Sequence, residues 1–159
     1  MLLEYWAKSK IHGRLVLVCD VEPAVRKLSA QHLARPDVEV MSFRRDLGPL
    51  YRSADVFVFT PIEEGGPQVT YEAAGCGLPL IVSPMGAARI ADATTGYVVQ
   101  PLDEPGWIEA MKTLAGDVEL RCATAAEARQ KSLRFTWLRV AEARHSVLQD
   151  IAQRSAARG

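Results

Sequence analysis

The stretch Glu64-Gly65-Gly66-Pro67-Gln68-Val69-Thr70-Tyr71-Glu72-Ala73-Ala74-Gly75-Cys76-Gly77-Leu78-Pro79 decides how this chain is read. Gly66 followed by Pro67 marks a helix start, because proline is pre-shaped for the first helical position and lacks a donor that would be orphaned there anyway. Gly77 and Pro79 mark its end, and the apolar run Leu80-Ile81-Val82 behind them predicts a buried strand. Glu64 is thereby placed on the loop entering the helix, and Glu72 about a turn and a half inside it. The free amides of the 66–69 segment lie between the two carboxylates, at the positive end of the helix. Backbone donors that favour an anion, flanked by carboxylates that accept from hydroxyls, suit a ligand carrying both phosphate and sugar.

Outward from this segment the chain alternates between helix and strand signals. Leu2–Ser9 reads as a short amphipathic helix, Arg14–Cys19 as a strand, and Pro23–Leu33 as a helix with Val25, Leu28 and Leu33 near one apolar face. Val38–Met41 reads as a short strand, Asp46–Arg52 as a helix, Val56–Phe59 as an apolar strand and Gly96–Val99 as a further short one. Helices are expected over 104–115, 118–132 and from Trp137 to about Gln153, with residues 155–159 frayed. Strands separated by helices of about ten residues predict an α/β fold with a doubly wound parallel sheet, in one domain covering residues 1–159. Val56–Phe59 and Leu80–Val82 are expected as interior strands, with Glu64 near the C-terminal edge of the first, where open α/β sheets bind ligands.

Composition narrows the function. With 19 basic and 19 acidic side chains the formal charge is balanced, so no nucleic acid or acidic membrane surface is implied as a general partner. The N-terminal MLLEYWAKSK has no long apolar core and carries Glu4, unlike a secretory signal. No apolar run approaches the roughly 20 residues that cross a bilayer. The expectation is a cytoplasmic protein without an integral membrane segment. The three cysteines, Cys19, Cys76 and Cys122, form no CxxC pair, and Cys19 and Cys76 are expected as small buried hydrophobes. His12, His32 and His145 lack ligand spacing, and neither a D-x-D run nor a phosphate-binding G-x-x-x-x-G-K-[ST] is present, so no metal and no cofactor is expected. Glu63, Arg44 and Arg45 read as solvated loop residues, Thr70 and Tyr71 as packing residues, and Trp137 as the anchor of the last helix in a core.

The 64–79 segment resembles the Glu-x7-Glu motif of retaining glycosyltransferases of the GT-B fold, glycosyltransferase family 4, with Gly75 where alanine is usual. The resemblance continues upstream through Leu50-Tyr51 and Ala54-Asp55-Val56-Phe57-Val58. Downstream it runs through Gly86, Thr95-Gly96-Tyr97-Val98-Val99, Asp103 and Phe135-Thr136-Trp137. It implies a Rossmann-like GT-B C-terminal half whose ligand is a nucleotide diphosphate sugar. By resemblance Glu72 accepts from the ribose hydroxyls, and Glu64, the residue assigned a catalytic role, contacts a donor-sugar hydroxyl. Gly65 and Gly66 form the donor loop, and the amides of Gln68 and Val69 cradle the distal phosphate.

The departures matter equally. In the family the donor half opens with a strand ending near an Arg and a Lys-Gly pair, which hold the diphosphate, and an N-terminal half supplies the acceptor site. This chain resembles the family from the following helix onward, at Leu2-Leu3-Glu4-Tyr5-Trp6-Ala7. Cys19-Asp20-Val21, Ser42 and Arg89 stand where the family has Gly-x-Gly, Gly and Glu. In a sheet of order 3-2-1-4-5-6 the first strand is central. Without it, either Arg14–Cys19 pairs directly with Val56–Phe59, or another chain fills the gap, or the reading frame begins upstream. Two functions follow: the donor-binding half of a retaining glycosyltransferase, completed by an N-terminal half or partner chain, or a non-catalytic interaction module that keeps the fold. A homo-oligomer is left open, as are the sugar, the base and the acceptor.

Overall fold

The computed structural model describes residues 1–156. Eight helices and five strands follow one another in the expected order among these residues: α1 (Leu2–Ser9), β1 (Leu15–Val18), α2 (Pro23–Leu28), α3 (Ala30–Leu33), β2 (Val38–Met41), α4 (Gly48–Ser53), β3 (Phe57–Phe59), α5 (Gln68–Gly75), β4 (Leu80–Val82), β5 (Gly96–Val98), α6 (Glu104–Gly116), α7 (Val118–Ser132) and α8 (Trp137–Ala156). Residues 155 and 156 lie within α8, and 157–159, the rest of the tail expected to fray, lie outside the described residues. The 23–33 helix is divided at Ser29, whose φ of −102° and ψ of 12° interrupt it. None of the described helices is long and apolar enough to cross a membrane.

Every strand pairing is parallel. β1 pairs with β2, and β3, β4 and β5 form a second sheet in that order, so β1 and β3 do not meet. The direct pairing of Arg14–Cys19 with Val56–Phe59 therefore does not occur. β4 is interior as expected, whereas β3 is an edge strand of its sheet, because it has no hydrogen-bonded neighbour on the side away from β4.

β4 organises the core, its three residues being fully buried. Strand alternation sends Ile81 to one face, into a cluster with Tyr5, Trp6, Trp107, Met111 and Leu114 of α1 and α6. Leu80 and Val82 go to the other, among Tyr51, Ala73, Ala74, Leu78, Ile90 and Ala128. Apolar side chains on both faces of a strand are what a parallel sheet covered by helices requires.

Local signals explain the element ends. At the end of α5 the Leu78 amide donates to the Ala73 carbonyl at 3.1 Å and the Gly77 amide to Ala74 at 2.9 Å. This is a Schellman closure, and it needs the left-handed φ of 79° that Gly77 adopts. Asp103 and Asp117 cap α6 and α7 by accepting from the amides of Gly106 and Leu120. Gly96 is required for another reason: with φ 146°, a Cβ there would fall 1.8 Å from the Leu80 carbonyl oxygen, inside the β4–β5 ladder.

Three burial expectations are corrected. Trp137 is 73% exposed and α8 buries no residue, so this tryptophan anchors nothing. The aromatic that holds the segment is Phe135, whose ring lies 5.0 Å from that of Tyr71. Cys19 is exposed and Cys76 half-buried, because each lies just past the end of its element and not within the packed run. Val25 and Leu28 are exposed too, since α2 has no buried residue and its apolar positions meet no second layer.

Candidate functional site

Three segments meet at the C-terminal edge of β3 and β4: the loop after β3 (60–67), the N-terminus of α5, and the loop after β4 (83–90). Buried hydroxyls join them. Ser83 donates from Oγ to the Pro61 carbonyl at 2.6 Å and accepts the Gly86 amide at 3.2 Å. Thr70, fully buried in the first turn and a half of α5, donates to the Gly86 carbonyl at 2.8 Å. The Arg89 amide donates to the Tyr71 hydroxyl at 3.2 Å, just past Ala88, which holds a left-handed φ of 52°. A non-glycine residue in that region is uncommon and costs about 1 kcal/mol or more. These bonds set the entrance of α5 against the two loops.

On this frame the predicted ligand groups take defined positions. Pro67 precedes the first helical residue as the N-cap, with φ −70° and ψ 92°, so the helix begins one residue later than the proline signal implies. Glu64 is exposed on the entering loop, and its Oε1 accepts the Gly66 amide at 3.1 Å. The Gly66 amide is thus engaged, and Pro67 has none. The Thr70 amide donates to the Pro67 carbonyl at 3.3 Å. Among the described residues the amides of Gln68 and Val69 donate to no partner, and a helix N-terminus gives such donors a positive field. Gly65 and Gly66 are exposed with open space where a Cβ would stand.

Glu72 is exposed on α5 within reach of Tyr51, whose hydroxyl donates to Oε2 at 3.5 Å, the long limit of a hydrogen bond. Burial, and then the Glu72 carboxylate, push the Tyr51 hydroxyl well above the usual tyrosine range, so it stays a protonated donor. Glu63, Arg44 and Arg45 are exposed on loops, as expected of solvated residues. The residues that sequence reasoning missed are Ser83, as the tie between the two loops, and Tyr51, as the neighbour of Glu72. A serine directly after a buried strand was the available signal for Ser83; Tyr51 lies 21 residues from Glu72 and gave none.

The arrangement has counterparts among known proteins. Residues 1–117 match the family model described as glycosyl transferases group 1. The chain is 32% identical over 101 residues to D-inositol 3-phosphate glycosyltransferase of Saccharomonospora viridis, covering 62% of this chain and 23% of that protein. It is 31% identical over 120 residues to the enzyme of the same name from Corynebacterium diphtheriae, covering 74% and 26%. The chain therefore spans about a quarter of the length of these relatives. Among solved structures, HepE of Anabaena with UDP-glucose superposes with a TM-score of 0.84 at 21% identity, covering 94% of this chain and 44% of that one. WaaG, a glycosyltransferase involved in lipopolysaccharide biosynthesis, gives 0.70 at 25% identity, covering 82% and 38%. The match over residues 1–117 extends beyond the motif to α1, β1 and α6. The chain belongs to the glycosyl transferases group 1 family and has the fold of the C-terminal half of GT-B glycosyltransferases.

Proposed function

We propose that this chain is the donor-binding half of a retaining glycosyltransferase, which moves a sugar from a nucleotide diphosphate sugar to an acceptor held by another domain or chain. One observation carries the reading: the unpartnered amides of Gln68 and Val69 open α5 between two exposed carboxylates, Glu64 and Glu72, at the C-terminal edge of a parallel sheet. That edge is where open α/β sheets take ligands. The amides are suited to the distal phosphate, Glu72 to the ribose hydroxyls, and Glu64, on the Gly65-Gly66 loop, to a donor-sugar hydroxyl. The chemistry asked of the protein is to hold the anomeric carbon beside the acceptor while helix and backbone dipoles stabilise the departing diphosphate. The Gly66 bond keeps Glu64 on the loop without using both of its oxygens, leaving acceptor capacity for a sugar hydroxyl. UDP-glucose in the HepE structure supports this ligand class.

A second reading, a non-catalytic module, is favoured by the departures at Cys19-Asp20-Val21, Ser42 and Arg89, which stand where the family has Gly-x-Gly, Gly and Glu. Titration calorimetry with UDP, GDP and ADP separates the two. The donor reading expects heat with at least one nucleotide, and Glu72→Ala weakening that binding by about 1 to 3 kcal/mol, the scale for hydrogen bonds to a charged group. No heat with any of the three at millimolar concentration sinks it in favour of the module.

A further inference from the structure

We propose that Tyr51 is a positioning residue of the donor site: its hydroxyl fixes the Glu72 carboxylate in the orientation that receives the ribose hydroxyls of the nucleotide. The inference rests on the donor reading and adds to it a residue that acts through Glu72. Glu72 is exposed on α5, and among the described residues the Tyr51 hydroxyl, 3.5 Å from Oε2, is the one donor that reaches its carboxylate. A glutamate on a helix surface otherwise samples many rotamers, and fixing one is among the larger side-chain entropy costs. A ligand that meets the carboxylate already oriented is spared much of that cost.

The surroundings of Tyr51 suit this role. The residue is 9% exposed, and its ring stands edge-on to Phe57, with centroids 6.1 Å apart and planes at 74°. It packs in one cluster with Ala73 and Ala74, the two residues that follow Glu72 on α5. The ring is thus fixed against the same helix whose carboxylate its hydroxyl meets, and the contact joins α4 to α5 across 21 positions of the chain. Burial first, and the Glu72 charge second, keep the phenol protonated, so it faces the carboxylate as a donor and not as a second anion. The bond is long, as such bonds often are before a ligand draws the site together. A carboxylate has about four lone-pair sites, so one bond from Tyr51 leaves both oxygens able to accept from a vicinal pair of hydroxyls. Phenylalanine would fill the same cluster, and the hydroxyl is the one group it lacks.

The test is calorimetry on the whole chain with UDP, GDP and ADP, each beside its 2′,3′-dideoxy form, which lacks both ribose hydroxyls. The parent is expected to bind at least one ribonucleotide more tightly than its dideoxy form. Tyr51→Phe, which keeps the packed ring and with it the fold, is expected to weaken that ribonucleotide by about three- to tenfold and to leave the dideoxy form within about twofold. In a Glu72→Ala background the same change should have no further effect, as a residue acting through Glu72 requires. Equal weakening of both forms by Tyr51→Phe, the mark of a packing role, overturns the proposal, and so does an unchanged affinity for both. A loss that persists without Glu72 overturns it as well and places the hydroxyl against the ligand itself. A parent that binds nucleotide with no preference for the ribose hydroxyls refutes the role of Glu72 on which the proposal depends. A parent that binds none of the three refutes the donor reading itself, and the proposal with it.

Discussion

The Thr70 hydroxyl donates to the Gly86 carbonyl at 2.8 Å from a side chain with 0% exposure, tying the first turns of α5 to the loop after β4. Removing the hydroxyl while keeping the shape leaves that carbonyl with no substitute donor. Thr70→Val is expected to cost about 1 to 3 kcal/mol of stability, the penalty for stranding a buried polar group, read from the midpoint shift in urea. A shift below experimental error would mean that the loop is held by other contacts.

Gly96 and Gly65 make a contrasting pair. A methyl group on Gly96 meets the Leu80 carbonyl oxygen at 1.8 Å and requires a φ of 146°, whereas one on Gly65 meets nothing within 4 Å. Gly96→Ala is expected to lose about 4 kcal/mol or more, the range of strained backbone and overpacked cores. Gly65→Ala should stay within about 0.5 kcal/mol of the parent, as surface changes do. Thermal unfolding of the two variants side by side checks the contrast.

Lys131 on α7 pairs with Asp92, and this pairing, with the Thr94 hydroxyl next, holds the Asp92 carboxyl well below the usual carboxylate range. A depressed folded value means that the contribution is complete above the unfolded pKa near ~3.9 and is lost as pH falls from there through the folded value. Asp92 is 49% exposed, so solvent screening limits the effect to at most about 1 kcal/mol. Asp92→Asn should therefore lower stability at pH 7, and the gap between variant and parent should shrink towards pH 2. A gap that is constant with pH would assign the effect to Thr94 or to packing.

Sugar transfer needs donor and acceptor fixed together, and positioning alone is worth roughly 7 to 11 kcal/mol of barrier. Residues 1–159 carry the proposed donor glutamates and span about a quarter of the length of the relatives they match. Purified residues 1–159 are expected to transfer no measurable sugar from UDP-, GDP- or ADP-sugars, even where a nucleotide binds. Reproducible transfer that disappears in Glu64→Ala or Glu72→Ala would refute this and locate an acceptor site within the chain.

The sequence by itself determined what depends on neighbours along the chain. The turn Gly77-Leu78-Pro79, the caps Asp103 and Asp117, and the apolar runs of β1, β3 and β4 are local signals, and they sufficed for the order of elements, the parallel α/β class and the placement of Glu64 and Glu72 about α5. Only the tertiary structure decided the rest. β3 became an edge strand, and the sheet stayed open beside β1, because pairing depends on which backbone lies across the gap, and a strand carries no local mark of a missing neighbour. Glu64 took the Gly66 amide and left those of Gln68 and Val69 without a partner among the described residues, a choice set by the loop's path after β3. Trp137 reached no core although its motif suggested one, because α8 leaves the body of the domain after Phe135 has already packed on Tyr71. Tyr51 met Glu72, and Thr70 met Gly86, through packing of helices and loops far apart in sequence, which periodicity along one segment does not encode.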